Sequence, residues 1–101
     1  MITVVASLKV APGKRAEFLP IFKSYAEIVR TEKGCVEYAP GVDIDANLPV
    51  QQFDENVVTL VERWHSVDDL VAHLNAPAMQ SFKAQVDNLL EDLSVKVLQT
   101  A

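Results

Sequence analysis

The residues best placed to do chemistry in this chain are Glu62, Trp64 and His73. Side chains alternate along a strand, so Glu62 and Trp64 share one face, and a helix carrying His73 begins just after that strand turns back. A Trp side chain gives an apolar wall for an aromatic ligand. Imidazole titrates near neutrality and can accept or relay the proton of a phenolic hydroxyl. The same residues also have a structural reading: Glu62 pairing with an Arg or Lys, Trp64 filling the core, and His73 donating to a backbone carbonyl at a helix end. His65, the other of the two histidines, could join His73, Glu62, Asp68 and Asp69 around a metal, but no spacing fixes a ligand geometry and no metal is expected. Cys35 is the only cysteine, which excludes an internal disulfide or thiolate cluster; with no His beside it in sequence, it reads as a small buried hydrophobe. There is no Gly-rich phosphate loop, Cys-x-x-Cys, His-x-x-x-His or Gly-x-Ser-x-Gly elbow, so no cofactor is expected.

Hydrophobic periodicity supplies the elements that must position these groups. Ile2 to Val10 reads as a strand with Ile2, Val4, Ala6, Leu8 and Val10 on one face. Lys14 to about Glu32 reads as an amphipathic helix carrying Phe18, Phe22, Tyr25 and Val29. Pro20 either bends it or delays the start of its regular part, and Gly34 is expected to stop it in a left-handed cap. A short strand, Cys35 to Tyr38, precedes a loop from 39 to 56. That loop lies in a stretch with no base between Lys33 and Arg63, and its length suggests a lid or a subunit-contacting arm.

Val57 to Trp64 is the strongest strand, apolar on both faces, which one helical layer cannot cover; a second subunit is expected over the other face. Ser66, with Asp69 three residues on, caps a short helix bearing Leu70, Val71 and Leu74. Asn75 and Pro77 restart a helix with Met79, Phe82, Val86, Leu89 and Leu90 inward, and Ser94 to Gln99 closes as a strand. This order gives an α+β, ferredoxin-like, four-stranded antiparallel sheet with helices on one face, as a single domain over 1–101.

Composition narrows the partners. With 101 residues and an apolar half, the chain can fold around a small core, exposing about 5,700 Å² as an ordinary monomer. A formal net charge of −5 leaves no electrostatic footprint for nucleic acid. Apolar runs are far too short to cross a bilayer and no export signal opens the chain, so no membrane and a cytoplasmic location are expected.

Ile2-Thr3-Val4-Val5-Ala6, Val10-Ala11-Pro12-Gly13-Lys14 before a helix with Phe18, Glu32-Lys33-Gly34-Cys35-Val36-Glu37-Tyr38, Leu60-Val61-Glu62-Arg63-Trp64, and Ala72-His73-Leu74 ahead of Pro77 occur in a specific order. Together they resemble the antibiotic biosynthesis monooxygenase superfamily, in its small quinol monooxygenase-like branch, from Ile2 to Leu98. The resemblance implies a homodimeric alpha-beta barrel formed through the sheet faces, with a pocket between each sheet and its own helices. It also implies oxidation of small quinols or polyphenols by molecular oxygen without flavin, haem or metal. In that scheme His73, with Glu62, handles the substrate proton. Trp64, Phe22, Tyr25, Leu60, Met79 and Phe82 enclose the ring, and Asn75 donates to the anionic oxygen. Many relatives have a second His where this chain has Ala78. Other members degrade haem, for which His65 or His73 could supply a ligand, or isomerise a phosphorylated sugar derivative, for which the region offers only Arg63 as an anchor. A non-catalytic small-molecule-binding dimer is the alternative from another functional class.

Overall fold

The computed structural model describes residues 1–101 as seven elements. They are β1 (Ile2–Val10), α1 (Arg15–Val29), β2 (Cys35–Val42), β3 (Val57–Trp64), α2 (Val67–Leu74), α3 (Pro77–Val86) and β4 (Leu90–Leu98). The strands form one antiparallel sheet in the order β2-β3-β1-β4, the ferredoxin-like arrangement expected. Helices pack on one face, giving a slab of 37 × 35 × 19 Å. None of its helices is long and apolar enough to cross a membrane.

Register decides which side chains reach the interior. Val4 lies opposite Glu62, Ala6 opposite Leu60 and Leu8 opposite Val58, so Glu62 sits on the helix-facing side amid apolar neighbours. The pairing of β2 with β3 shifts by one residue between Cys35 and Glu37, leaving Val36 as the extra residue of a bulge. A one-residue slip exchanges the faces of a strand, so Tyr38, rather than Glu37, comes opposite Glu62 and is buried. Arg30, just past α1, fixes this arrangement by donating from Nε and Nη2 to the Tyr38 carbonyl at 3.1 and 2.8 Å.

Several expected boundaries move. Helix α1 runs from Arg15 through Pro20 without a break and ends at Val29, so Gly34 does not cap it; Gly34 closes the following turn instead, at φ +80°. Strand β2 continues through Ala39, Pro40 and Gly41 to Val42, because the hydrogen-bonded edge of β3 remains available to it, and the loop begins at Asp43. Strand β4 starts at Leu90, which had been assigned to α3, since pairing with Val10 takes over where that helix ends. Val71 and Leu74 are exposed on α2, whose inward residues are Leu70 and His73.

The core joins Val4, Ala6, Leu8, Val58 and Leu60 of the sheet to Phe18, Phe22, Val29, Phe82 and Val86 of the helices. Val5, Val57 and Val61 point to the opposite face, are only half-buried, and have no helix above them. The chain exposes 6654 Å², more than the ~5,700 Å² of a compact monomer of this mass.

Candidate active site

Ser66 starts α2 by accepting a hydrogen bond from the Asp69 backbone N–H at 3.1 Å. This cap aims the helix so that His73, on its last turn, is pressed inward against the end of β3. The side chain of His73 is 1% exposed. Its ring is bounded by Trp64 at 4.7 Å, Tyr38 edge-on at 5.7 Å and Tyr25 at 6.3 Å between centroids. The walls restrict the imidazole on three sides, and two carboxylates define its polar contacts.

His73 Nδ1 lies 2.7 Å from Glu32 Oε1. An ionised carboxylate only accepts, so this contact places the proton on Nδ1 and leaves the Nε2 lone pair on the inner side. Nε2 is 3.9 Å from Glu62 Oε1, which accepts from Trp64 Nε1–H at 2.9 Å. Burial raises the Glu62 carboxyl above its ordinary range, against the lowering effects of the Trp64 hydrogen bond and of His73. Burial, with the field of Glu62 and its neighbours, also raises the Tyr38 phenol, which stays protonated. Of the structural readings, that of Trp64 as a core residue holds, whereas Glu62 pairs with no Arg or Lys and His73 meets a carboxylate rather than a backbone carbonyl.

Beside Glu62 and His73 lies an almost wholly apolar cavity of about 190 Å³ between the sheet and the helices. Phe22, Tyr38, Leu60, Met79 and Phe82 contribute to its wall, and Leu93 and Val95 continue it toward β4. An apolar cavity of ~150 Å³ accommodates benzene, so this one matches a single ring. Of the anticipated site residues, Glu62, His73, Phe22, Leu60, Met79 and Phe82 border it. Trp64 does not; fully buried behind the imidazole, it holds Glu62 and supports His73.

Tyr25 also lies outside the cavity, stacked on Phe82 at 4.2 Å and 4°, with its hydroxyl donating to Met79 Sδ at 3.5 Å. It faces the groove between α1 and α3, and Ala78 borders that groove too. Asn75 is exposed at the end of α2 and donates from Nδ2 to the Val71 carbonyl at 3.1 Å, so it is spent on its own helix. His65 is exposed, and no residue from 43 to 56 lines the cavity.

Two residues of the site were missed from sequence. Tyr38 was hidden by the bulge. Glu32 was hidden because it comes from the turn after α1; its one signal was a carboxylate two residues before a turn-forming glycine. Gly34 makes the contact possible, for a Cβ there would fall inside the Asp69 carboxylate of α2, and its carbonyl accepts from the His65 N–H at 2.9 Å.

The arrangement is thus an apolar, ring-sized chamber with one imidazole whose orientation is fixed by a carboxylate. Such a chamber can bind an aromatic hydroxyl and remove its proton. Comparison with known proteins places it in context. The chain is 32% identical over 101 residues to "Probable quinol monooxygenase YgiN" of Escherichia coli K12, covering 98% of this chain and 97% of that one. Its fold matches a solved antibiotic biosynthesis monooxygenase with a TM-score of 0.84, at 20% identity, over 100% of this chain and 99% of that one. Protein SO0527 of Shewanella oneidensis matches with a TM-score of 0.81 at 26% identity, over 96% and 87% of the two chains. The model of the antibiotic biosynthesis monooxygenase family matches residues 1–85, and with the fold and the near full-length relative in agreement, the chain belongs to that family.

Proposed function

We propose that this protein is a cofactor-independent monooxygenase that oxidises a small quinol or related polyphenol with molecular oxygen, with His73 as the base. The observation that carries this reading is the buried imidazole, fixed through Nδ1 to Glu32 at 2.7 Å, beside an apolar chamber of ring size. Its family membership and the quinol monooxygenase named among its relatives support the same assignment.

Removing a hydroxyl proton leaves an electron-rich phenolate able to pass an electron to dioxygen, so the substrate supplies the reducing power itself. One oxygen atom enters the ring and the other leaves as water; quinol plus dioxygen becomes hydroxyquinone plus water. Nε2 takes the hydroxyl proton, and Glu62, 3.9 Å away, favours the imidazolium that forms. Trp64 keeps that carboxylate in place. Phe22, Leu60, Met79 and Phe82 exclude water from the ring.

The reading includes a homodimer through the sheet face that the helices leave open. Val5, Val57 and Val61 on that face and the excess accessible surface support it. Ile44, Leu48, Val50 and Phe53 are exposed on the 43–56 loop, which suits an arm against a second subunit. Sedimentation equilibrium is expected to give twice the chain mass, and a monomer would remove this part of the reading.

The test of activity is oxygen uptake by metal-stripped protein with a panel of hydroquinones, wild type beside His73→Ala. Uptake above autoxidation that falls by about 100-fold in the variant is the expected result. No uptake in either protein would shift the assignment to a binding dimer.

A further inference from the structure

A proton taken by His73 beside an apolar chamber needs an acceptor beyond it. The chamber offers poor alternatives: the Tyr38 phenol already holds its proton, Glu62 is itself 5% exposed, Lys83 lies at the exposed rim, and the remaining wall is hydrocarbon. On the opposite side of the imidazole lies a second, polar hollow bordered by Glu32, Lys33, Asp68, Asp69 and Ala72. His73 is the one residue that borders both spaces. Its ring is therefore a partition, with Nε2 toward the apolar side and Nδ1 toward the polar one.

The exposures follow the same direction. The His73 side chain is 1% exposed and that of Glu32 is 20% exposed, so the carboxylate receiving Nδ1–H touches water while the imidazole does not. A carboxylate serving only to orient His73 could be as deeply buried as Glu62. This one is placed at the boundary.

We propose that Glu32 is the outlet of a proton relay through His73. The substrate O–H bond breaks as the Nε2–H bond forms; the Nδ1–H bond breaks as the proton passes to Glu32; Glu32 then loses that proton to water and returns to carboxylate. The imidazole is left as the opposite tautomer, neutral, with its proton on the chamber side. That proton is then available to the reduced oxygen that must leave as water. The line reversed, from water through Glu32 to Nδ1, restores the starting form. Glu32 touches no substrate atom and acts through His73. The inference takes its substrate from the oxygenase reading, but the relay requires only a bound phenol.

Other charged and titratable groups surround the relay: Tyr25 on α1, Lys33 in the following turn, Cys35 and Tyr38 on β2, Glu62 on β3, Asp68 and Asp69 on α2, and Lys83 on α3. Their fields bear on the equilibrium of the proton. A rate measurement at fixed pH isolates the path. The probe is 4-nitrophenol, whose colour reports ionisation, bound to wild type, Glu32→Gln and Glu32→Ala and followed by temperature-jump relaxation. Gln still accepts from Nδ1–H and keeps the ring in place, yet it cannot take the proton.

The expected result is unchanged 4-nitrophenol affinity in Glu32→Gln with ionisation slowed at least ~10-fold, and restoration of the rate in Glu32→Ala by added formate. Relaxation of Glu32→Gln at the wild-type rate overturns the relay, as does failure of wild type to ionise the bound phenol. Oxygen uptake with a hydroquinone is recorded in parallel. Slowed ionisation in Glu32→Gln without uptake in wild type would leave the relay standing and reject the oxygenase.

Discussion

His73 Nδ1 and Glu32 Oε1 lie 2.7 Å apart although 41 residues separate them in the chain. The contact joins the turn after α1 to the last turn of α2, and Gly34 of the same turn packs against Asp69 in the first turn of that helix. At φ +80° it occupies left-handed space, and a methyl group there would overlap the Asp69 side chain.

Gly34→Ala is therefore expected to destabilise the fold by about 1–3 kcal/mol and to loosen the Glu32–His73 contact. Two causes are separable. In an Asp69→Ala background the overlap with the carboxylate disappears while the contact with the Cβ of residue 69, at 2.6 Å, and the backbone strain remain, so the second substitution should recover part of the loss. Urea unfolding of the two single variants and the double variant measures this; purely additive losses would show that the close approach has no energetic consequence.

Glu62 predicts a pH dependence of stability with a definite sign. Burial raises its carboxyl in the fold, so between its ordinary value and that raised value the native state binds more protons than the unfolded chain. Stability is then lost as pH rises through this window and stays lower above it. Glu62→Gln keeps an oxygen for Trp64 Nε1–H and has no proton to lose. Relative to wild type, the variant should gain stability as pH rises from below the window to pH 7, read from urea midpoints across a pH series. A difference that does not vary with pH would reject this account.

The sheet and its helices were legible because hydrophobic alternation survives in β1 and β3 and because Ser66 and Pro77 mark their helix starts. The chamber was largely legible too, since Glu62, Leu60, Phe22, Phe82 and His73 lie on faces that simple periods identify. Errors arose where a nonlocal contact overrides the local pattern. Asn75 looked free, but a side-chain amide at a helix end finds a carbonyl one turn back. Trp64 was placed on the correct face, but strand period does not tell a wall from a support behind it. Glu32 depends on where a turn comes to rest against another helix, which no local period encodes.

Tyr38 depends on a single extra residue. Counting by twos from Cys35 would put Glu37 on the Cys35 face, yet Tyr38 is buried there and Glu37 is exposed, because Val36 forms the bulge. Deletion of Val36 should restore a plain ladder that keeps Cys35 opposite Trp64 and Tyr38 opposite Glu62, and it leaves the turn that carries Glu32 at its full length. The fold should persist with the Tyr38 environment and the Glu32–His73 contact both kept, visible as an unshifted His73 Nδ1 resonance by nitrogen NMR. A shifted resonance would show that the bulge itself holds the turn against α2.

Trp64 tests whether Glu62 is held by one donor. Replacement by Phe keeps an aromatic ring beside His73 but removes the Nε1–H that reaches Glu62 Oε1 at 2.9 Å, leaving a buried carboxylate oxygen without that partner. The combined loss of hydrogen bond and volume should destabilise the protein by about 2–4 kcal/mol. Because that bond lowers the Glu62 carboxyl, its removal should also extend the window of pH-dependent stability upward. The same substitution in a Glu62→Leu background removes no partner from a charge, so there it should cost only the lost packing. A double-mutant cycle by urea unfolding gives the difference. A coupling near zero would mean that Glu62 finds another donor, and that Trp64 supports the site through packing against His73 alone.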